Sequence, residues 1–535
     1  MDSSPSDSFA TGTDPTAQNS PRQPKNSQLV AGIQDILGCI CDHIRFQERD
    51  DPQTRSQARK SLLQTALSFR AMREPATNSL WHTLPSVTPL LRLLPFVSYN
   101  TGEYKFVPGD INNWERFDHH AKLVRAVLLE NDPTRRPISP ILISYLSNIR
   151  KTPLLPTLHT LHIPAGVDFN HSAIFSIISP SLKVLKISTT YTIDFSIALL
   201  HMVRMVSPEL SRLEITDGNS CDVLSTIAKL KLEHLEVHLP QIQLPSSFLT
   251  DLLTLHPALR HLVISANGVQ TSPFGRHRRT PRSQRNAMPH SSATASESVL
   301  GSNASSIFPK LTTLQLQGSL SSMITWLSPN SGAVTDLTIP PSAFPDLISA
   351  DGWSGLTSLC IGSPSGSSSS QYVQLSDLVS TNFSPTLEHL VFNPSAMVTL
   401  LDHSTLELLA TSLPRLKTLI FPLTASDNIY PTTDSLITLV TRCRELETLH
   451  LPLQSILAPS VNINTHSRLK HLRIFTNRDP GAPLLSSTIG LARVFNRYLP
   501  HLETFDTYGP CSHNTTETCR SIKELLYFLR EMTAN

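Results

Sequence analysis

The sequence predicts an α/β fold: a curved solenoid with a parallel inner sheet and outer helices, preceded by a small all-α unit. Three observations carry that prediction. One apolar phrase, Leu-x-x-Leu-x-Leu in its full form, returns thirteen times, from LHTLHI at Leu158 through LKVLKI at Leu182, LEHLEV at Leu232 and LETLHL at Leu446 to a degraded LETFDT at Leu502. The copies begin about 29 residues apart on average, a supersecondary rather than a domain-sized period. Apolar residues at three- and four-residue spacing fill many of the intervals, so a helix alternates with each short strand.

Within the phrase the last two apolar positions alternate as in a strand, and the first anchors the chain leading into it. One such unit cannot bury its own apolar side, so neighbours must stack into a continuous core. This is the pattern of a leucine-rich repeat. The 535 residues therefore need not split into several globular domains, because a solenoid core grows in one dimension.

Composition narrows the function class. Only 16% of residues are charged and the net charge is +2, so no global field draws the chain to nucleic acid or an acidic membrane. Seven sparse cysteines fit reduced thiols, no basic-then-apolar secretory leader opens the sequence, and no run of about 18 apolar residues offers a membrane span. The expectation is a cytoplasmic or nuclear protein that is not secreted.

Taken in order, residues 1–28 are rich in Ser, Pro and Thr and are expected to be a disordered leader. Residues 29–84 read as two or three short helices. Ile33, Ile36, Leu37, Ile40 and Ile44 make one apolar stripe, and Leu62, Leu63, Ala66, Leu67, Phe69 and Met72 make another. Pro75 sets a helix boundary near Glu74. A unit of this size is marginal alone and is expected to dock against something.

The phrases Ile33-Gln34-Asp35-Ile36-Leu37, Phe69-Arg70-Ala71-Met72-Arg73-Glu74-Pro75-Ala76 and Leu80-Trp81 resemble an F-box, in the form found in mushroom-type fungal proteins that carry C-terminal leucine-rich repeats. Gln34 stands where those relatives commonly have proline, and Ser68 where many have cysteine. The resemblance implies docking to the Skp-type adaptor of a cullin-based ubiquitin ligase. It makes Ile33, Ile36, Leu37, Ile40, Leu63, Leu67 and Trp81 the candidates for the adaptor contact or its immediate support. The alternative is that the same helices only cap the solenoid.

Residues 85–154 form a linker and N-terminal cap. The phrase Trp114-x-Arg116-Phe117 resembles the segment that precedes the first regular repeat in the same proteins, and Val124, Val127 and Leu129 suggest an atypical repeat. Trp114 is expected to cover the open end of the stack. The repeat domain proper spans 155–510. The 52-residue interval between Leu259 and Leu311 holds a polar insertion, 268–306, with Arg276, Arg278, Arg279, Arg282 and Arg285, which reads as a disordered basic loop. Residues 511–535 supply a C-terminal helical cap.

No metalloprotease His-Glu-x-x-His, nucleophile-elbow or phosphate-loop motif occurs in the sequence, so no enzyme activity and no cofactor are expected. The variable positions of the phrases offer a recognition surface instead. Arg212, His234, Arg260, His261, Lys417, Glu447 and Lys470 are the candidates for contacting a protein substrate, since their charges and donors are not needed in the core.

Overall fold

The computed structural model describes residues 25–45, 51–100, 102–107, 110–129, 138–150, 152–165, 171–188, 192–216, 222–245, 248, 251–252, 255–267, 269–270, 309–318, 324, 333–350, 353, 355–362, 371–380, 386–394, 396–399, 401–422, 430–453, 467–475, 485–507 and 513–534. Fifteen strands form one parallel sheet in which spatial order follows chain order. They are β1 (Thr83–Leu84), β2 (Ala126–Val127), β3 (Thr160–Ile163), β4 (Val184–Ser188), β5 (Arg212–Thr216), β6 (His234–Leu239), β7 (His261–Ala266), β8 (Thr313–Gly318), β9 (Asp336–Ile339), β10 (Ser358–Ile361), β11 (His389–Phe392), β12 (Thr418–Ile420), β13 (Thr448–Pro452), β14 (His471–Phe475) and β15 (Thr504–Thr507). The thirteen phrases supply β3 to β15. The structure is the curved solenoid that the phrases predict.

Each phrase does the same work. Its first leucine is buried ahead of the strand, as at Leu158, Leu182, Leu232 and Leu446, and the fourth and sixth positions point into the core. The backbone N–H groups of the second and third residues both donate to the carbonyl of the second residue one repeat earlier. Lys183 and Val184 bond His159 O at 2.8 Å each, and Glu447 and Thr448 bond Lys417 O at 2.8 and 3.0 Å. That shared carbonyl locks the register. Three buried aliphatic side chains contribute roughly 5–9 kcal/mol against water, but ordering a repeat costs roughly 1–2 kcal/mol per residue. A lone repeat therefore cannot stand, and the apolar side chains run as one core from Leu84 to Leu526.

Helices fill the intervals where the periodicity places them: Pro140–Ile149, Ile193–Val206, His403–Ser412, Thr433–Arg442 and Leu485–Tyr498. The last turn of the solenoid is closed by His513–Ala534, which buries Cys519, Ile522 and Leu526. Arg530 ties this helix down by donating to Leu499 O at 3.2 Å and to Leu502 O.

Three expectations change. Residues 25–28, assigned to the leader, belong to the first helix, α1 (Lys25–Ile44), whereas 1–24 lie outside the described residues. The helix boundary expected near Glu74 is present: α2 (Pro52–Ser68) stops at Phe69, a short 3-10 turn follows, and α3 (Arg73–His82) carries Pro75 in its first turn, where a missing N–H costs nothing. The sheet starts at β1, inside the segment read as helical, because the N–H of Arg125 reaches back to His82 O at 2.8 Å and Thr83–Leu84 pairs with Ala126–Val127. Within the polar insertion, Val269–Gln270 pairs in parallel with Leu244–Pro245, while 271–308 lie outside the described residues.

At the entrance, Trp114 is partly buried, its ring 5.4 Å from both Phe96 and Phe117 and covered by the Arg150 guanidinium at 5.2 Å. Arg150 also pairs with Asp118 at 2.5 Å.

Candidate functional site

The helical unit is held by its own small core. Asp51 caps α2 by accepting from the N–H groups of Gln53 and Thr54 at 2.8 and 3.0 Å, and the Thr54 hydroxyl first, with these N–H groups after it, holds its carboxyl below the usual range. Cys41, Leu62 and Ala76 are fully buried together, with Ile44, Ala66, Met72 and Leu80 around them. Residues one helical step away face outward. Ile33 is 49% exposed, Ile36 61% and Ile40 44% on α1, and Leu63 is 49% and Leu67 79% exposed on α2. Leu37 is half-buried.

Trp81 is different. It is half-buried against the solenoid core and stacks on His120 at 4.3 Å, so it faces the repeats. One apolar residue that the sequence reading left out belongs with the exposed group. Phe69, in extended backbone at the end of α2, is 63% exposed. Its signal was its place at the end of the second apolar stripe.

The inner face of the sheet is a set of ladders. Third-position residues stand in register from repeat to repeat: Val184, Arg212, His234, His261, Thr313 and Asp336 are successive partners, and the row continues through Ser358, His389, Thr418, Thr448, His471 and Thr504. Second positions form a parallel row from His82 and Arg125 through His159 to Lys470 and Glu503, marked by the shared carbonyl bonds.

All seven candidates lie on these rows, but most are already paired with one another's neighbours. Arg212 Nη2 meets Glu236 Oε1 at 2.5 Å, and His261 Nε2 lies 4.0 Å from the same oxygen. Lys186 reaches Glu214 at 3.0 Å. The His234 and His261 rings are 5.6 Å apart. Burial holds the His261 imidazole below its usual range, partly opposed by Glu236. In the C-terminal repeats Lys417 pairs with Glu388 at 2.6 Å and Lys470 with Glu447 at 3.2 Å, and the first of these pairs lowers the Glu388 carboxyl and raises the Lys417 amine. Arg260 is exposed.

Between these two charged zones the fifth-position residues of β7 to β12 are Val263, Gln315, Thr338, Cys360, Val391 and Ile420, none of them charged. The sequence reading missed the acidic partners Glu214, Glu236 and Glu388. The fifth position shares a face with the third by the two-residue period of a strand, which was the available signal for the first two.

Among the described residues, no group of three or more His, Cys, Asp or Glu side chains is placed to hold a metal ion. No described helix is long and apolar enough to cross a membrane.

No protein-family profile matches the chain, and no curated protein matches it. Among solved structures it is similar to a chain of the yeast Rad7 and Elc1 complex, at 14% identity over 70% of this chain and 94% of that one, with a TM-score of 0.30. It is also similar to the leucine-rich repeat-containing protein LegL7 from Legionella pneumophila, at 12% identity over 68% and 95%, with a TM-score of 0.28. Overlays at this level do not bear on function.

Proposed function

We propose that the chain is a substrate-recognition subunit of a Skp-cullin-F-box ubiquitin ligase. It docks the adaptor through α1 and α2 and holds a target protein on the inner sheet. The observation that carries this reading is the outward-facing set Ile33, Ile36, Ile40, Leu63 and Leu67, with Phe69 beside them. A helical unit that served only to close the solenoid would turn its large apolar side chains toward the repeats. Here Trp81 does that, and the others face away. Exposed aliphatic and aromatic side chains of this kind form the desolvated centre of a protein interface.

The chain itself supplies position, not chemistry. Holding a target near the ligase raises its effective concentration, and the rigid sheet fixes its orientation. Co-expression of the full chain with a Skp-type adaptor and co-purification tests the reading. A 1:1 complex is expected, and a folded chain that leaves the adaptor behind rejects it in favour of a non-catalytic interaction scaffold.

A further inference from the structure

The helical unit and the first repeats enclose a cleft of about 680 Å³. Its walls are α1 and α3, and its floor is the segment Lys122 to Arg125 that leads into β2. The two wall helices run side by side in the same direction. Ser79 on α3 donates to Asp42 on α1 at 2.8 Å, and Cys41 and Ala76 share the small core. That register places the ends of the helices together in pairs.

The charges in the cleft differ between its ends. Asp35 and Glu74 stand at one end; at the other are Arg45 and His82, with Asp42 paired to Arg45 at 3.3 Å, so that the unbalanced positive charge there is that of Lys122 and Arg125 on the floor. The eight helical steps from Glu74 to His82 span about 12 Å. The basic end carries a net positive field. His82 is pushed down to about 4 by burial first and then by Arg45, with Arg125 and His159 acting in the same sense and only Asp42 against them.

We propose that this cleft binds a bipolar peptide segment. Its carboxylate lies at the Arg45, Lys122 and Arg125 end, and its ammonium or guanidinium lies at the Asp35 and Glu74 end. A separation of about 12 Å corresponds to about four residues of extended chain. The walls belong to the helical unit and the floor to the solenoid, so an occupant fastens one to the other. His82 and Arg125 are also the first two rungs of the second-position row, so a segment leaving the basic end runs directly onto the inner sheet. The site stands whether or not α1 and α2 dock an adaptor.

The test is calorimetric titration of the full chain with an acetylated, amidated Arg-Gly-Gly-Asp peptide, beside Gln-Gly-Gly-Asp and Arg-Gly-Gly-Asn. The bipolar peptide is expected to bind at least about tenfold more tightly than either control. Lys122→Gln and Glu74→Gln, both at exposed positions, are each expected to remove that advantage while the circular-dichroism melt stays unchanged. The proposal is overturned by no saturable binding at millimolar peptide, by equal affinity for the three peptides, or by binding that neither substitution alters.

Discussion

Leu62 and Leu67 sit five residues apart on α2, yet one is fully buried and the other is 79% exposed. Leu62→Ala empties a position packed against Cys41 and Ala76, and a buried leucine cut to alanine costs about 2–5 kcal/mol. Leu67→Asp removes no packing within the chain and is expected to change stability by at most about 0.5 kcal/mol. Adaptor binding reverses the order. Burying the exposed part of Leu67 contributes about 1–2 kcal/mol, so its loss weakens the complex about 5- to 30-fold, and an aspartate left in a desolvated interface weakens it further. Amide hydrogen exchange across α1 to α3 reads the first effect and calorimetric titration with the adaptor reads the second. Exchange should rise in Leu62→Ala and stay at the wild-type level in Leu67→Asp. If Leu67→Asp loosened the helices as much as Leu62→Ala, or bound the adaptor as tightly as wild type, the separation of a packed and a docking face would be wrong.

Other features give equally direct expectations. Gly318 ends β8 with φ +90°, and a Cβ there would lie 2.0 Å from Ala266 O, so Gly318→Ala should lower stability by at least about 1–2 kcal/mol in urea unfolding. Cys443 is buried and its thiol is pushed up to about 12, so brief alkylation at pH 8 followed by mass spectrometry should label exposed Cys39 and leave Cys443 intact. Glu388 is held low by its bond to Lys417. The contribution of this pair is present above the ordinary glutamate range and is lost as pH falls through the depressed value. Carboxyl NMR titration should move the Glu388 midpoint upward in Lys417→Ala.

The solenoid was legible because each phrase states its structure locally: a buried anchor, then two-residue alternation. Thr83–Leu84 was not legible, since two residues carry no alternation and the segment follows a helix directly. Pro75 marked a helix boundary, and the apolar face of Ala76, Leu80 and Trp81 beyond it marked the helix that it opens. On the inner sheet, the rows of candidates followed from the repeat, but the pairing of Arg212 with Glu236 joins residues 24 apart and depends on which strands stand side by side. Exposure on α1 and α2 was invisible for the same reason. Periodicity marks an apolar stripe without saying whether it meets protein or water.

The proposed division of labour between two surfaces is tested most directly by cross-linking mass spectrometry of the full chain with the adaptor. Lys60 is exposed on α2, on the stripe of Leu63 and Leu67, whereas Lys183, Lys417 and Lys470 lie on the inner rows. Adaptor cross-links are expected at Lys60 and none at the inner lysines. Adaptor cross-links concentrated on Lys183, Lys417 and Lys470, with Lys60 untouched, would contradict it.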